Sequence, residues 1–460
     1  MNCKIKSGKF KLLWESCSVN NYKWYKGIAM SEIVYSKEEK SKRVRGIIGA
    51  SSGNLVEWFD FYIYAVFAMY FQHALTAPDM SSSAQGVYVW GVFAASFFMR
   101  PIGSWIFGRI ADKHGRKNSM VISISLMAVS SFLFALLPTY EQVGMAAPFL
   151  LLLVRLLQGL SVGGEYGAVA TYMSEIALKG QRGFFASFQY VTLSGGQLLA
   201  SLLGVILLML MTEQQLMDGG WRIPFVVGGV AAIISLLARS RLEETLSKKD
   251  EGKEEAGSLR ELFKKHWRTF LLVVGYTSAG SLSFYVLTVY SKTYMTNLGI
   301  EGRTVGYMMT AALFIFMVAQ PLFGAISDRI GRRAAMLAFS ASVAIFIYPV
   351  MVIAMPYFSY SPVIVTLLLI FMMMLLSFYT SISGLVKAEM FPPHVRALGV
   401  GFSYAVGNAI FGGTAPAVAL QFKDAGIENL FFVYVVVMLV ICFLCSFALP
   451  KEPEYLHHDH

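Results

Sequence analysis

The chain has 460 residues, of which 56% are hydrophobic and only 14% charged, against roughly 45–50% and about 25% in soluble chains. That charge deficit excludes a disordered chain, a coiled coil and a soluble multidomain enzyme. The net charge of +10 sits in short loops between apolar runs, so there is no continuous face for nucleic acid.

What remains is an integral membrane protein. Its long unbroken apolar runs fit helices, not the short alternating segments of a β-barrel. Residues 1–45 are polar and basic and hold no apolar stretch long enough for a signal peptide. Met30 offers a second start, so residues 1–29 read as an upstream extension of a cytoplasmic tail. A polybasic lipid-binding arm is the competing reading.

Twelve spans follow, at 46–72, 86–107, 119–137, 148–176, 185–211, 222–238, 267–294, 304–326, 334–355, 361–388, 398–422 and 429–449. They divide into a six-helix half at 46–238 and another at 267–449. A charged linker at 239–266, with room for one surface helix, joins them, and 450–460 is a second tail. His457, His458 and His460 in that tail read as solvated, so no metal is expected. Cys442 and Cys445 read as packing residues of the last span, and with Cys3 and Cys17 they make no disulfide framework. The loops after spans two, four, eight and ten carry Arg109, Lys113, Arg116 and Lys117; Lys179 and Arg182; Arg329, Arg332 and Arg333; and Arg396. The opposite loops, near Asp79, Glu141, Glu213 and Asp218, have few basic residues or none. Basic loops stay inside, which predicts that both termini are cytoplasmic.

An internal repeat accompanies this pattern. Gly108, Asp112, Gly115, Arg116 and Lys117 fall in a loop echoed 216 residues later by Gly324, Asp328, Gly331, Arg332 and Arg333. Glu175 precedes Arg182 by seven positions, and Glu389 precedes Arg396 by seven. Paired six-span halves place a substrate site between them, near the bilayer midplane.

The GxxxDxxGR[RK] loops resemble the signature of the major facilitator superfamily. The run from Arg155 through Gly159 to Gly163 and Gly164 is similar to its fourth-span motif, RxxxGxxxGG. The first span, Gly53 to Tyr64, and the run Met99-Arg100-Pro101-Ile102-Gly103 resemble the metabolite:proton symporter family. The runs 185–197, 377–384 and 387–392 are similar to the α-ketoglutarate branch of that family. The resemblance extends from about Arg45 to about Pro450. It implies an all-α membrane protein of twelve helices in two pseudo-repeats, working as a monomer in a bacterial inner membrane. It also implies proton-coupled uptake of a small anionic metabolite.

Charges inside the spans are the next signal, because each costs about 2.5–3.5 kcal/mol at the bilayer centre. Glu57 and Asp60 share a face of the first span, and Tyr64 continues that stripe. Either carboxyl can carry a proton, or can form a fixed ion pair. By its place in the motif, Arg155 resembles the arginine that pairs with a first-span acid in related symporters, so proton coupling falls to Asp60, Glu57 and Arg155. Arg100 suits an anionic substrate, because a guanidinium grips a carboxylate with two parallel bonds. A structural partner for Glu57 is its other reading. Glu165 is expected to face the bundle.

Further substrate contacts are sought among the polar groups of the spans: Tyr64, then Gln189, Tyr190 and Gln197, then Tyr276 and Tyr285, then Tyr379, Tyr404 and Asn408. Helix packing is the bland reading for each tyrosine. Lys292 and Lys387 are expected to snorkel from span ends, leaving the C-terminal half without a mid-span cation. Gly108, Asp112, Gly115, Arg116, Glu175, Arg182, Asp328, Arg332, Glu389 and Arg396 read as a cytoplasmic gate. Asp112 and Asp328 would cap neighbouring helices, and the arginines would reach Glu175 and Glu389. Gly159 and Gly163 permit close helix approach. No P-loop or catalytic triad spacing occurs, so neither an enzyme nor a cofactor is expected, and the energy must come from an ion gradient. The expected substrate is α-ketoglutarate, with citrate, shikimate, proline or betaine as alternatives and a ligand sensor without net transport as another class.

Overall fold

The computed structural model describes residues 23–25, 28–30, 36–246, 255–451 and 455. The expectations for Cys3, Cys17 and the three tail histidines lie outside these residues. Within residues 1–43, β1 (Lys23–Tyr25) pairs antiparallel with β2 (Ile28–Met30). Among the described residues this hairpin is the exception to helices and the turns that join them.

Each predicted span falls on a helical rod. The rods are α1 (Lys37–Leu75), α2 (Ser82–His114), α3 (Arg116–Ala135), α4 (Ala146–Ile176), α5 (Phe188–Leu210) and α6 (Ile223–Ser240). They continue as α7 (Trp267–Tyr285), α8 (Gly302–Ile330), α9 (Arg332–Tyr348), α10 (Pro362–Thr380), α11 (Arg396–Gly407) and α12 (Glu428–Phe447). Among the described residues, nine rods are long and apolar enough to cross a membrane. The other three are α1, which carries Glu57 and Asp60, α2, which carries Arg100, and α11, which is cut short by a wide π turn at Asn408–Gly412. The protein is thus a multi-pass, all-α membrane protein with two six-helix pseudo-repeats. Phe98, Met209, Ile234, Leu322 and Leu444 face outward, a surface that suits lipid and not water.

The turns between α2 and α3 and between α8 and α9 explain two repeated glycines. Gly115 has φ 107° and Gly331 φ 90°, a region that side chains disfavour. Close approach explains two more. A Cβ on Gly159 would lie 2.4 Å from the Ser96 carbonyl, and one on Gly163 would lie 2.3 Å from the Arg100 carbonyl. These contacts press α2 against α4.

Within the first half, α4 packs on α2 and α3, and α6 on α3. Within the second, α12 packs on α7 and α9, and α10 on α8 and α9. Two contacts across the halves are equivalent under the repeat: α2 with α11, and α8 with α5. The seventh rod is central, with 78% of its apolar stretch buried, against 33% for α8.

The linker begins later than the sequence predicts. Arg239 and Ser240 complete α6, and Arg239 is fully buried. Its guanidinium forms an ion pair with Glu165, with Nη1 donating to Oε2 over 2.8 Å, and also donates to the Met120 and Ala50 carbonyls. Gly53 leaves the space: a Cβ there would lie 2.0 Å from the guanidinium carbon. Arg239 is therefore a packing charge of the bundle, not a loop charge. Its hydrophobic setting lets α6 carry it only because Glu165 is present. The rest of the linker supplies one short surface helix, Leu259–Lys265, capped by Ser258.

Removing one member of a buried pair strands the other, at a cost of about 3–5 kcal/mol. Arg239→Met is expected to lower stability by that amount. The double variant Arg239→Met with Glu165→Met should recover most of it. Thermal melting of the three purified proteins in detergent checks this.

Candidate functional site

The acids of α1 are held by neutral donors. Asp60 is fully buried. Its Oδ1 accepts from Ser131 Oγ at 2.6 Å, and its Oδ2 from Gln158 Nε2 at 2.7 Å. Gln158 Oε1 in turn accepts from Arg155 Nη1 at 3.0 Å. The direct Asp60–Arg155 pair expected from the sequence is not formed; the Gln158 amide spans the gap, and Arg155 Nε and Nη2 have no hydrogen-bond partner. Gln158 is the missed member. It stands three residues after Arg155, on the same helix face. Glu57 is buried and accepts from Ser161 Oγ at 3.2 Å.

Arg100 and Arg155 lie among aromatic rings. The Arg100 guanidinium carbon is 4.0 Å from the ring centre of Phe97, 4.7 Å from Phe61 and 5.6 Å from Trp58. That of Arg155 is 4.3 Å from Tyr64 and 5.0 Å from Phe61. Arg100 is 2% exposed, and its Nε, Nη1 and Nη2 have no hydrogen-bond partner. Cation–π contact offsets part of the desolvation, but the guanidinium donors stay open. Arg100 borders a small cavity of about 10 Å³ with Asn54, Glu57, Trp58, Tyr166 and Tyr404, room for about one water. Tyr166 belongs to α4 and Tyr404 to α11, so the cavity lies between the two halves. Their rings stack 3.5 Å apart.

The largest departure concerns Lys387. It is fully buried in Ser383–Glu389, the helix after α10. Its Nζ lies 5.4–5.7 Å from the ring centres of Tyr166, Tyr276, Tyr379 and Tyr404. It donates to Tyr166 OH at 3.2 Å and to Ser383 Oγ at 2.5 Å. Lys387 does not snorkel, and the C-terminal half does contain an interior cation. Helical side chains lean toward their own N-terminus, which carries Nζ back along the helix to Ser383, away from the end marked by Glu389.

Other sequence candidates divide into two groups. Tyr64 is not at the cavity: its hydroxyl donates to the Val89 carbonyl at 2.7 Å, and its ring packs on Phe71, Phe93 and Phe134. Tyr276 and Tyr379 belong to the lysine cage. Gln189 is buried with Nε2 unpartnered, beside Gly384, where a Cβ would lie 2.4 Å from its Oε1. Asn408 is buried with both amide atoms unpartnered, as is the Tyr285 hydroxyl, and Tyr285 meets Phe97 at 6.3 Å. Gln197 is half-buried with Oε1 unpartnered. Asn54, not singled out from the sequence, lines the cavity and ties α1 to α5 through the Gln189 carbonyl at 2.8 Å.

The repeated loops join the halves at one end of the bundle. Asp112 accepts from the Ala397 and Leu398 amides, both at 2.9 Å, at the start of α11. Asp328 accepts from the Gly183 and Phe184 amides at 2.8 and 3.0 Å, at the start of the segment Arg182–Ala186. Each carboxylate meets the positive end of a helix in the other half. Glu175 receives Arg116 at 3.2 Å and Arg396 at 2.8 Å. Arg332 reaches Asp328 at 2.8 Å and Glu389 at 3.5 Å. Gly108 abuts α11, where a Cβ would lie 2.8 Å from the Leu398 Cα. Glu244 of the linker joins this face, accepting from the Arg116 and Lys117 amides at 2.8 and 3.1 Å.

Glu261, His266 and His394 bring ligand-type atoms within 4.8 Å of one another. Lys265 stands 2.9 Å from Glu261 and holds its carboxyl below the ordinary range, mainly by hydrogen bonding. That ammonium already neutralises the acid.

Residues 46–258 match the family model for sugar (and other) transporters, and residues 272–459 match that of the major facilitator superfamily. The α-ketoglutarate permease of Escherichia coli K12 is 52% identical over 422 residues, covering 91% of this chain and 96% of the permease. The chain belongs to the major facilitator superfamily. A citrate-proton symporter of Salmonella typhi is 33% identical, covering 81% of this chain and 86% of that one. The proline/betaine transporter of E. coli K12 is 31% identical, covering 90% and 84%. Among solved structures, the proton:xylose symporter XylE bound to 6-bromo-6-deoxy-D-glucose superposes with a TM-score of 0.76 at 17% identity, covering 91% of this chain and 99% of XylE. That last likeness concerns the fold.

Asp112→Ala removes both cap bonds to α11 and a buried ion pair with Arg116 at 3.2 Å, and should cost about 3–5 kcal/mol. Hydrogen–deuterium exchange is expected to rise first at the N-terminal turn of α11, with α12 unchanged.

Proposed function

We propose that the chain imports α-ketoglutarate or a close dicarboxylate together with protons, by alternating access across a bacterial inner membrane. The observation that carries this reading is Arg100: a buried guanidinium between the halves with every nitrogen unpartnered. A charge so placed needs an anion, and a carboxylate matches its fork. The 52% identity to a permease for α-ketoglutarate supports the choice of anion.

In this reading 46–238 and 267–449 are the two rocking halves, 239–266 is largely linker, and both termini are cytoplasmic. Asp60 carries the proton. When ionised, it accepts from Ser131 and Gln158, and Gln158 holds Arg155 by its other end. A protonated Asp60 can donate to Gln158 Oε1 instead. The amide must then turn, and Arg155 loses its acceptor. A proton thus changes what links α1 to α4. Glu57, close by on the same face, tunes this site electrostatically. The Asp112 and Asp328 caps, with Arg116, Arg182, Arg332, Arg396, Glu175 and Glu389, form a cytoplasmic gate that is closed in this arrangement. Substrate release inward requires those pairs to part. The transporter works as a monomer, without a cofactor and without catalysing a reaction.

Uptake of radiolabelled α-ketoglutarate into proteoliposomes tests this. An inward proton gradient should drive accumulation, and Asp60→Asn should abolish it while leaving exchange intact. Arg100→Gln should raise KM roughly tenfold or more. No uptake by folded protein refutes the substrate, and uptake indifferent to the gradient refutes the coupling. Competition by unlabelled citrate, proline, betaine and shikimate separates the relatives' substrates from this one.

A further inference from the structure

We propose that Lys387 and its tyrosine cage form the second carboxylate subsite, so that one dicarboxylate bridges Arg100 of the first half and Lys387 of the second. The inference rests on the dicarboxylate reading above and adds the residues that recognise the far end of the substrate.

Lys387 is fully buried, and its neighbours are neutral oxygens: the Ser383 carbonyl and hydroxyl and the Tyr166 and Tyr379 hydroxyls. Among the described residues, no carboxylate lies within ion-pair distance of it. Neutral acceptors satisfy its hydrogen bonds but leave its charge without a counterion, a costly state in the interior. Arg100, which borders the cavity together with Glu57, makes no ion pair either, and its three nitrogens lack hydrogen-bond partners. Tyr166 and Tyr404 connect the two cations. Both line the cavity that Arg100 borders, and both present their rings to Lys387. Gln189 adds an unpartnered amide donor beside Gly384, next to Ser383. The tyrosine hydroxyls can rotate to donate toward an incoming carboxylate. The cage draws on α4, α7, α10 and α11, so an anion seated there holds the halves together from within. A monoanion satisfies one cation only; a dianion satisfies both.

The test compares 2-oxoglutarate with its 5-(N,N-dimethylamide), an amide that has no N–H to close onto the ketone, so the chain stays open and one charge is removed. Affinities come from melting-temperature titrations of the purified full chain in detergent. The wild type should bind the diacid about tenfold or more tightly than the amide. Lys387→Gln should bring the two within about twofold, by weakening the diacid and leaving the amide unchanged. Lys387→Arg, which keeps the charge, should retain the preference. Equal binding of both ligands by the wild type overturns the inference without any variant. So does a Lys387→Gln protein that keeps the tenfold preference. A wild type stabilised by neither ligand overturns the α-ketoglutarate reading, and this inference with it.

Discussion

A charge inside a hydrocarbon slab must find its counterpart within the protein or in what the protein carries. The structure arranges its buried charges around that constraint. Arg239 and Glu165 satisfy each other in full and lock α6 to α4. Asp60 and Arg155 are joined through one amide, which leaves Arg155 Nε and Nη2 unpartnered. Arg100 has aromatic rings and no hydrogen-bond partner in a cavity that Glu57 also lines, and Lys387 has tyrosine rings and neutral oxygens, neither making an ion pair among the described residues. In the function proposed above, these three degrees of satisfaction correspond to three tasks: fixing the scaffold, switching it, and receiving an anion.

Aromatic rings make the third condition tolerable. A guanidinium over Phe97 and Phe61, or an ammonium within four tyrosine rings, gains some electrostatic relief without acquiring a permanent counterion. A carboxylate there would do the job better and would also exclude the substrate. The same logic explains why the far end of the bundle is built differently. There the ion pairs are direct: Glu175 pairs with Arg116 and, across the halves, with Arg396, while Arg332 joins Asp328 and Glu389 within the second half.

Much of the fold is legible in the sequence because its signals are local. Apolar runs of span length, glycines at the positive-φ turns Gly115 and Gly331, and the 216-residue repeat all follow from covalent order. The site is legible as residue types. Glu57, Asp60, Arg100 and Arg155 are conspicuous because charge is rare in such spans. Their connections are not legible. Gln158 looks like one amide among several until it is seen standing between Asp60 and Arg155. Arg239 looks like the first residue of a charged loop until α6 is seen to run two residues further. Lys387 looks like a span-end lysine that reaches for water, because a hydropathy pattern gives depth along a helix but not the direction in which a side chain leans.

The sequence by itself determined the membrane class, the twelve rods, the duplication and the list of charges the lipid could not tolerate unanswered. Each of these depends on near neighbours in the chain or on composition. The tertiary structure alone decided which charges answer one another. Glu165 lies 74 residues from Arg239, Asp60 98 from Gln158, and Tyr166 221 from Lys387. Contacts over such separations depend on helix rotation and crossing, which period and hydropathy leave free. Packing of small residues such as Gly163 against Arg100 sets those angles, and with them the placing of Tyr166 and Tyr404, which line the cavity that Arg100 borders and turn their rings to Lys387.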